Sequence, residues 1–226
     1  MRIAVLIAAS VLVAGCSQTT GGDAEQTGPT LTVPPTTRTL PATPTATSAT
    51  PTRPPQAGAP MRAVIDWVEA GAPAEVGNYH VAMREGTTTQ LGDDVAFRTE
   101  AGTNCMTDSD AGGALACLVD LTNPPPRPAD VYGEWKGGWV DFAGPTLEVG
   151  SAHGDPGRFT AGTGEELPYG QALAFGDYRC RADPSGLICV NYAHQSGARF
   201  TDAGIQPFGC LQSVTPPPGI GKKFSC

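Results

Sequence analysis

Residues 178–192, YRCRADPSGLICVNY, contain the clearest indication of the fold. The tract at 183–186, DPSG, has the composition of a tight turn, and it separates a run that carries Cys180 from the apolar run at 187–192. Two short runs joined by such a turn predict a β-hairpin, and a cysteine on each strand predicts a disulfide bond across it. The stretch therefore indicates antiparallel β structure that is fastened by disulfide bonds.

Short runs of near-alternating apolar residues follow one another along the chain, with glycine and proline between them. These runs predict strands at 79–83, 95–98, 115–119, 139–142, 146–149, 158–160, 172–180, 187–192 and 198–201. Ahead of them, residues 61–68 place apolar side chains at helical spacing, and Gly71 and Pro73 follow, which predicts one short helix. The sequence thus predicts a mainly β fold, a small disulfide-stapled sandwich or barrel with one short N-terminal helix.

The chain contains seven cysteines, and all except Cys16 lie beyond residue 100. These six fall along the chain as three close couples, which is the simplest basis for pairing in an exported protein. We therefore predict the disulfide bonds Cys105–Cys117, Cys180–Cys189 and Cys210–Cys226. No CxxC pair is present, so the cysteine spacing does not favour a metal site, and we expect neither a metal nor another cofactor.

The first 15 residues have the pattern of a signal peptide, with Met1-Arg2, an apolar run at 3–13 and small residues before Cys16. That run is shorter than the ~20 residues that a membrane-spanning helix needs. Residues 13–16, VAGC, are similar to a bacterial lipobox, which implies that Cys16 receives acyl chains, palmitate among them. We expect a chain that is lipid-anchored to the cell membrane on its extracytoplasmic face. The alternative is an ordinary signal peptide with a chance cysteine.

The segment after Cys16 is rich in threonine and proline, with 13 threonines and 9 prolines among the 44 residues at 17–60. It lacks the apolar residues that would offset the entropy of ordering, so we predict that residues 16–60 form a disordered tether. Such a tether is either O-glycosylated or a bare spacer. The remainder, 61–226, is long enough for one globular mainly-β domain.

The charge of the chain excludes one class of partner. It has 14 lysines and arginines against 22 aspartates and glutamates, which gives a formal net charge of −8. Binding to a nucleic-acid backbone requires clustered cations, so we expect no nucleic-acid partner.

Several short sequence motifs of the chain occur in a characteristic order: FRT at 97–99, GTNC at 102–105, Cys117, PPPRPAD at 124–130, LPYG at 167–170, YRC at 178–180 and GLICVN at 186–191. This order, over roughly 94–204, resembles a recurrent secreted domain of mycobacteria and related actinobacteria. The lipobox and the tether are similar to those of mycobacterial lipoproteins. That family has no assigned biochemical activity, so the resemblance implies no catalytic residue. Its members carry a further cysteine couple near the positions of Val131 and Thr160, and they lack the Cys210–Cys226 couple.

The three histidines, His80, His153 and His194, are far apart in sequence and show no metal-ligand spacing. In the word at 153–155 the Asp155 carboxylate could orient the His153 imidazole, but no nucleophile accompanies the pair. The chain also lacks a GxSxG word. We therefore assign no catalytic residue and retain His153, Asp155 and His194 as possible binding residues.

The most distinctive local feature is the aromatic tract at 132–142, YGEWKGGWVDF. If Tyr132, Trp135 and Trp139 were exposed, they could stack on sugars or on an apolar patch of a partner. The alternative is that both tryptophans fill the core. The glycines at 137–138 predict a turn or a bulge between them.

Two classes of function follow from these observations. The first is a non-catalytic extracytoplasmic binding or interaction module, which would recognise an envelope glycan, lipid or protein. The second is an envelope hydrolase that acts on peptidoglycan or glycolipid, and a purely structural role is a third possibility. A pocket that gathers His153, Asp155 and His194 would favour the enzyme, whereas an exposed aromatic patch around Trp135 would favour binding. Because the sequence contains no catalytic motif that we recognise, we expect the binding module.

Overall fold

Residues 53–129, 131–152 and 157–226 are described in the computed structural model of the chain. The predicted signal peptide, Cys16 and the tether up to residue 52 lie outside them, as do His153 and Asp155. In the described part of the chain, no helix combines the length and the apolar character that crossing a membrane needs.

The predicted helix is confirmed as α1, Met61–Glu69. It follows Pro60, and the N–H group of Ala70 bonds the carbonyl oxygen of Asp66 to close its last turn. Although composition assigns residues 53–60 to the tether, the Arg199 guanidinium donates a hydrogen bond to the carbonyl of Pro55. This stretch therefore lies on the domain.

The described residues form sixteen strands, which agrees with the predicted mainly β class. The strands are β1 Ala72–Pro73, β2 Val81–Arg84, β3 Thr87–Gln90, β4 Ala96–Arg98, β5 Asn104–Met106, β6 Leu115–Leu118, β7 Trp135–Phe142, β8 Thr146–Ala152, β9 Glu165–Glu166, β10 Gln171–Phe175, β11 Tyr178–Asp183, β12 Gly186–Asn191, β13 Ser196–Thr201, β14 Gly204–Gly209, β15 Gln212–Val214 and β16 Ile220–Ser225. Three short 3₁₀ turns lie at Val76–Tyr79, Ser109–Ala111 and Gly157–Ala161.

The strands form two large sheets and one separate hairpin. The first sheet has six strands in the order β1-β10-β11-β12-β13-β14, and the second has eight in the order β15-β16-β8-β7-β6-β5-β4-β9. Neighbouring strands are antiparallel except β1 with β10 and β9 with β4, which are parallel. The hairpin consists of β2 and β3. Neither large sheet closes on itself, so of the two predicted architectures the structure is a sandwich and not a barrel.

The main core lies between the two large sheets and uses alternate residues of each strand. Phe142 and Leu147 from the eight-stranded sheet and Leu187 and Phe200 from the six-stranded sheet belong to one buried cluster. The Phe142 and Tyr178 rings meet edge to face with centroids 5.5 Å apart. This inter-sheet packing supplies most of the burial that stabilises the domain.

The three predicted cysteine pairs are the disulfide bonds of the structure. Cys105 lies directly opposite Cys117 on β5 and β6, and both are fully buried between the sheets. The Cys180–Cys189 pair links β11 and β12 in the same way. Cys210 and Cys226, by contrast, are exposed and connect the ends of the β15–β16 hairpin.

Other elements cover the outer faces of both sheets. Val64 and Trp67 of α1 pack on Ile188 and Val190 of the six-stranded sheet. The Arg181 guanidinium lies 4.1 Å from the Trp67 ring centroid, in cation–π geometry. On the eight-stranded sheet, the outward-facing residues Ala96, Met106, Ala116 and Trp139 pack with Ala82 of β2 and with Phe159.

Two predicted strands are wrong in detail, and both errors have a local cause. Residues 158–160 lie in the 3₁₀ turn Gly157–Ala161, where the Phe159 ring packs on the outer sheet face. The predicted strand at 172–180 is two strands, because the chain turns at Gly176 with φ of +48°. Strands β1, β3, β5, β9, β14, β15 and β16 were not predicted, since they are very short or lack clear apolar alternation.

Candidate functional site

The aromatic tract does not form one exposed platform. Trp139 is 1% exposed, its indole N–H donates to the Asp141 carboxylate at 2.8 Å, and its ring meets Phe159 edge to face. Its ring is therefore part of the packing on the sheet face and is not presented to a ligand. The register shift between Lys136 and Val140 agrees with the bulge that the glycines predict.

The other two aromatic residues of the tract are separated in role. The Trp135 indole N–H donates to the carbonyl of Pro125 at 3.1 Å, and its ring lies against Gly150, where a Cβ would be 2.7 Å from a ring atom. Tyr132 is 98% exposed. Trp135 is thus half-buried and held as a structural cover, whereas the Tyr132 ring is almost fully open to solvent.

His194 lies in a recess at one end of the sandwich. The recess has a volume of about 390 Å³, and we call it the His194 cleft. Its walls come from the β5–β6, β7–β8, β10–β11 and β12–β13 turns and from the residues before β4. The residues that define its chemistry are Asp93, Asp94, Thr107, Phe175, Asp177, Tyr178, Asn191 and His194.

One wall of the His194 cleft is a fixed carboxylate. Asp94 accepts hydrogen bonds from the Thr107 hydroxyl at 2.8 Å and from the Ser109 hydroxyl at 2.9 Å. The Thr107 oxygen in turn accepts from the Val95 N–H at 2.9 Å, and a ring nitrogen of His80 bonds the Asp94 carbonyl at 2.8 Å. The carboxylate therefore has a defined orientation, with lone pairs left for a ligand donor.

The opposite wall is aromatic. The half-buried Phe175 ring stacks on Tyr178, with centroids 5.6 Å apart and an interplanar angle of 18°. The Tyr178 hydroxyl donates to the carbonyl of Phe142 at 2.8 Å, and burial raises the pKa of that hydroxyl above its usual value. The tyrosine thus stays neutral at physiological pH, and Phe175 supplies an exposed apolar edge.

His194 is held by its neighbour in the turn. The Asn191 side-chain oxygen accepts hydrogen bonds from the His194 backbone N–H at 3.1 Å and from its ring Nδ1 at 2.9 Å. In the neutral form of the ring, this bonding assigns the proton to Nδ1 and leaves Nε2 as an acceptor. Gly144 permits the approach of the β7–β8 turn, because a Cβ there would be 2.6 Å from His194 Nδ1.

Two kinds of catalytic arrangement are not formed by the described residues. Within the described ranges, no serine or threonine hydroxyl hydrogen-bonds a histidine ring, so the nucleophile–base pair that acyl transfer uses is not formed there. The described residues also contain no group of three or more histidine, cysteine or acidic side chains arranged to hold a metal ion. What the cleft offers is an aromatic edge beside hydrogen-bond acceptors of fixed direction.

A second recess, of about 470 Å³, lies at the other end of the sandwich. We call it the Asp183 pocket, after a residue of the β11–β12 turn. Sequence reasoning used the DPSG tract only as a turn signal and missed this recess, because its other walls come from distant turns.

The predicted His153–Asp155 pair lies outside the described residues and stays a prediction. Neither the protein-family models, nor the curated proteins, nor the solved structures with which the chain was compared gave a match. The resemblance to the actinobacterial secreted domain is therefore also still a prediction.

Proposed function

We propose that the protein is a cell-envelope lipoprotein whose domain is a non-catalytic, extracytoplasmic binding module. The lipid on Cys16 would hold it at the membrane, and the tether would let the domain reach away from the bilayer. The three disulfide bonds support a location outside the reducing cytoplasm.

The His194 cleft is the observation that carries this proposal. Two buried disulfide bonds join strands that lead into its walls, Cys105–Cys117 on β5 and β6 and Cys180–Cys189 on β11 and β12, which favours a cleft that is formed before any ligand arrives. A preformed site loses little conformational entropy on binding. Rigid walls and a few directed polar groups are typical of a recognition site for a small ligand or for part of a polymer.

The ligand class that we propose for the cleft is an envelope glycan. A sugar ring has an apolar face that can pack on the half-exposed Phe175 ring and hydroxyl groups that can donate to acceptors. The Asp94 carboxylate and the Nε2 atom of His194 are such acceptors. No phosphate-binding cation is among the described residues of this cleft, which favours a neutral glycan over an anionic one.

The test is a titration of the full mature, oxidised chain with neutral polysaccharides from the envelope, and with soluble peptidoglycan fragments, which carry carboxylates, as the anionic comparison. We expect binding by the wild-type chain and roughly fivefold weaker binding by Phe175→Leu, which keeps an apolar side chain but loses the ring face. Tyr132→Leu, the matched change at an exposed aromatic residue away from the cleft, should bind as the wild type does. Failure of every glycan to bind, or equal binding by Phe175→Leu, would refute the proposal.

The anchor has its own test. Replacement of Cys16 by serine should leave an unprocessed precursor or release the chain into the medium, because no thiol remains to accept lipid. Cell fractionation with an antibody against the domain measures this. A processed Cys16→Ser chain that stays bound to the membrane would contradict the lipid assignment.

A further inference from the structure

The Asp183 pocket is separate from the His194 cleft. Strand β12 shows this directly, since its first residue, Gly186, lines the Asp183 pocket and its last residue, Asn191, lines the His194 cleft. The pocket opens between the two large sheets where the 99–103, β11–β12 and β13–β14 turns meet the end of β6. Ligand binding to the Asp183 pocket can therefore be tested independently of binding to the His194 cleft.

The floor of the pocket is apolar. Val119 directly follows β6 of the eight-stranded sheet, and Leu187 and Phe200 lie on β12 and β13 of the six-stranded sheet. All three belong to the main core and are almost fully buried, so little of their surface meets the recess. A ligand in the recess would therefore meet this floor only over a small apolar area.

Three carboxylates stand around the recess: Asp120, Asp183 and Asp202. Asp183 is fixed, because one of its oxygens accepts from the N–H of Ser185 at 2.9 Å and from its hydroxyl at 2.6 Å. No lysine or arginine is among the described residues that line the pocket. Arg199 interacts electrostatically with Asp183, but its side chain leaves β13 on the outer sheet face and donates a hydrogen bond to the carbonyl of Pro55.

An independent observation inside the pocket also points to a ligand that donates hydrogen bonds. Thr99 lines the recess and is 3% exposed, and its hydroxyl oxygen has no hydrogen-bond partner among the described residues. Its backbone is fixed, because its N–H donates to Thr103 and its carbonyl accepts from Gly102, each at 2.9 Å. A buried hydroxyl without a partner is costly, so a donor group from a ligand would relieve that cost.

We propose that the Asp183 pocket binds a primary alkylammonium group. The positive charge is complementary to the three carboxylates, the N–H bonds can reach the Thr99 hydroxyl as well as a carboxylate, and the alkyl chain fits the apolar floor. The volume of about 470 Å³ accommodates a group of the size of a lysine side chain. Such a group occurs on free diamines and on the lysine residues of a peptide.

The experiment is a titration of the full mature, oxidised chain, followed by amide NMR shifts, with four probes of similar length. Two are primary amines, 1,5-diaminopentane and Nα-acetyl-lysine amide, which stand for the free and the peptide source. The third is the Nε-trimethylated form of the lysine amide, which keeps the charge but has no N–H donor at that end. The fourth is pentan-1-ol, which has no charge.

We expect at least one primary amine to bind and to shift the amides around the pocket, with pentan-1-ol at least tenfold weaker. Whichever amine binds more tightly identifies the source. Thr99→Val should weaken the primary amine about tenfold and leave the trimethylated probe unchanged. The fold of this variant should be retained, because valine has the same shape and removes the unpartnered hydroxyl.

Asp183→Asn should weaken both charged probes several-fold while its side-chain oxygen still accepts from Ser185. Glu85→Gln, the same change of charge at an exposed position in the β2–β3 turn, is the matched control and should change nothing. Equal affinity for the alcohol and the amines, no binding by any amine, or unchanged affinity in both Thr99→Val and Asp183→Asn would overturn the proposal. None of these results bears on the glycan site.

Discussion

Removal of the buried Cys180–Cys189 disulfide bond should destabilise the domain more than removal of the exposed Cys210–Cys226 bond. The two bonds join residues 9 and 16 positions apart, so loop-closure entropy in the unfolded chain contributes about 3 kcal/mol in either case. Cys180 and Cys189, however, are fully buried between the sheets, and alanine at both sites leaves a cavity that costs about 1–2 kcal/mol more. The tail cysteines are exposed, so their loss leaves no cavity.

The double variant Cys180→Ala, Cys189→Ala should therefore lose about 4–5 kcal/mol, and the double variant Cys210→Ala, Cys226→Ala about 3 kcal/mol. Urea unfolding at equilibrium, with the remaining disulfide bonds kept oxidised and verified by thiol titration, gives both free energies of unfolding. Equal losses, or a larger loss at the tail, would show that the buried pair does not support the inter-sheet core.

Three further predictions test the packing and the cleft. Trp139→Ala should lower the free energy of unfolding in urea by about 3–5 kcal/mol and Tyr132→Ala by less than about 0.5 kcal/mol, because only the Trp139 ring is buried. Similar losses in the two variants would contradict this assignment of burial. Burial and the hydrogen bond to Glu69 raise the pKa of Tyr192 to about 12. Absorbance at 295 nm should therefore show a tyrosine that ionises near pH 12. The stability that the neutral form of Tyr192 contributes should be fully present below pH 10 and be lost as the pH rises to about 12. Gly144→Ala should cost about 1–2 kcal/mol, because φ is +90° there and the new Cβ would meet the His194 ring; an unchanged stability would contradict the close approach.

Local features of the fold could be predicted from the sequence because neighbours in the chain produce them. The β11–β12 hairpin follows from the turn tract and the two cysteines, and α1 follows from its apolar spacing. The order of strands in each sheet could not be predicted, since pairs such as β16 with β8 join residues about 70 positions apart. The C-terminal segments β15 and β16 can be identified as strands only from the strands with which they pair in the folded structure.

The candidate sites show the same division. The sequence indicated His194 as a possible binding residue, but the cleft also needs Asp94 and Phe175, which only the folded turns bring to the same end of the sandwich. The environment of Trp139 was equally beyond reach, because the covering Phe159 lies in a segment that looks like a strand in sequence. Side-chain type could be predicted to matter at these positions, whereas exposure and neighbours depend on non-local packing.

We propose that the His194 cleft binds a neutral glycan without altering it. The most direct measurement is an amide NMR titration of the full mature, oxidised chain with soluble envelope glycans, with the glycan itself recovered and analysed afterwards. We expect saturable changes in the amide chemical shifts of Asp94, Phe175 and His194, and we expect the glycan to be recovered intact. Shifts confined to other surfaces, no shifts at all, or cleavage of the glycan would contradict it.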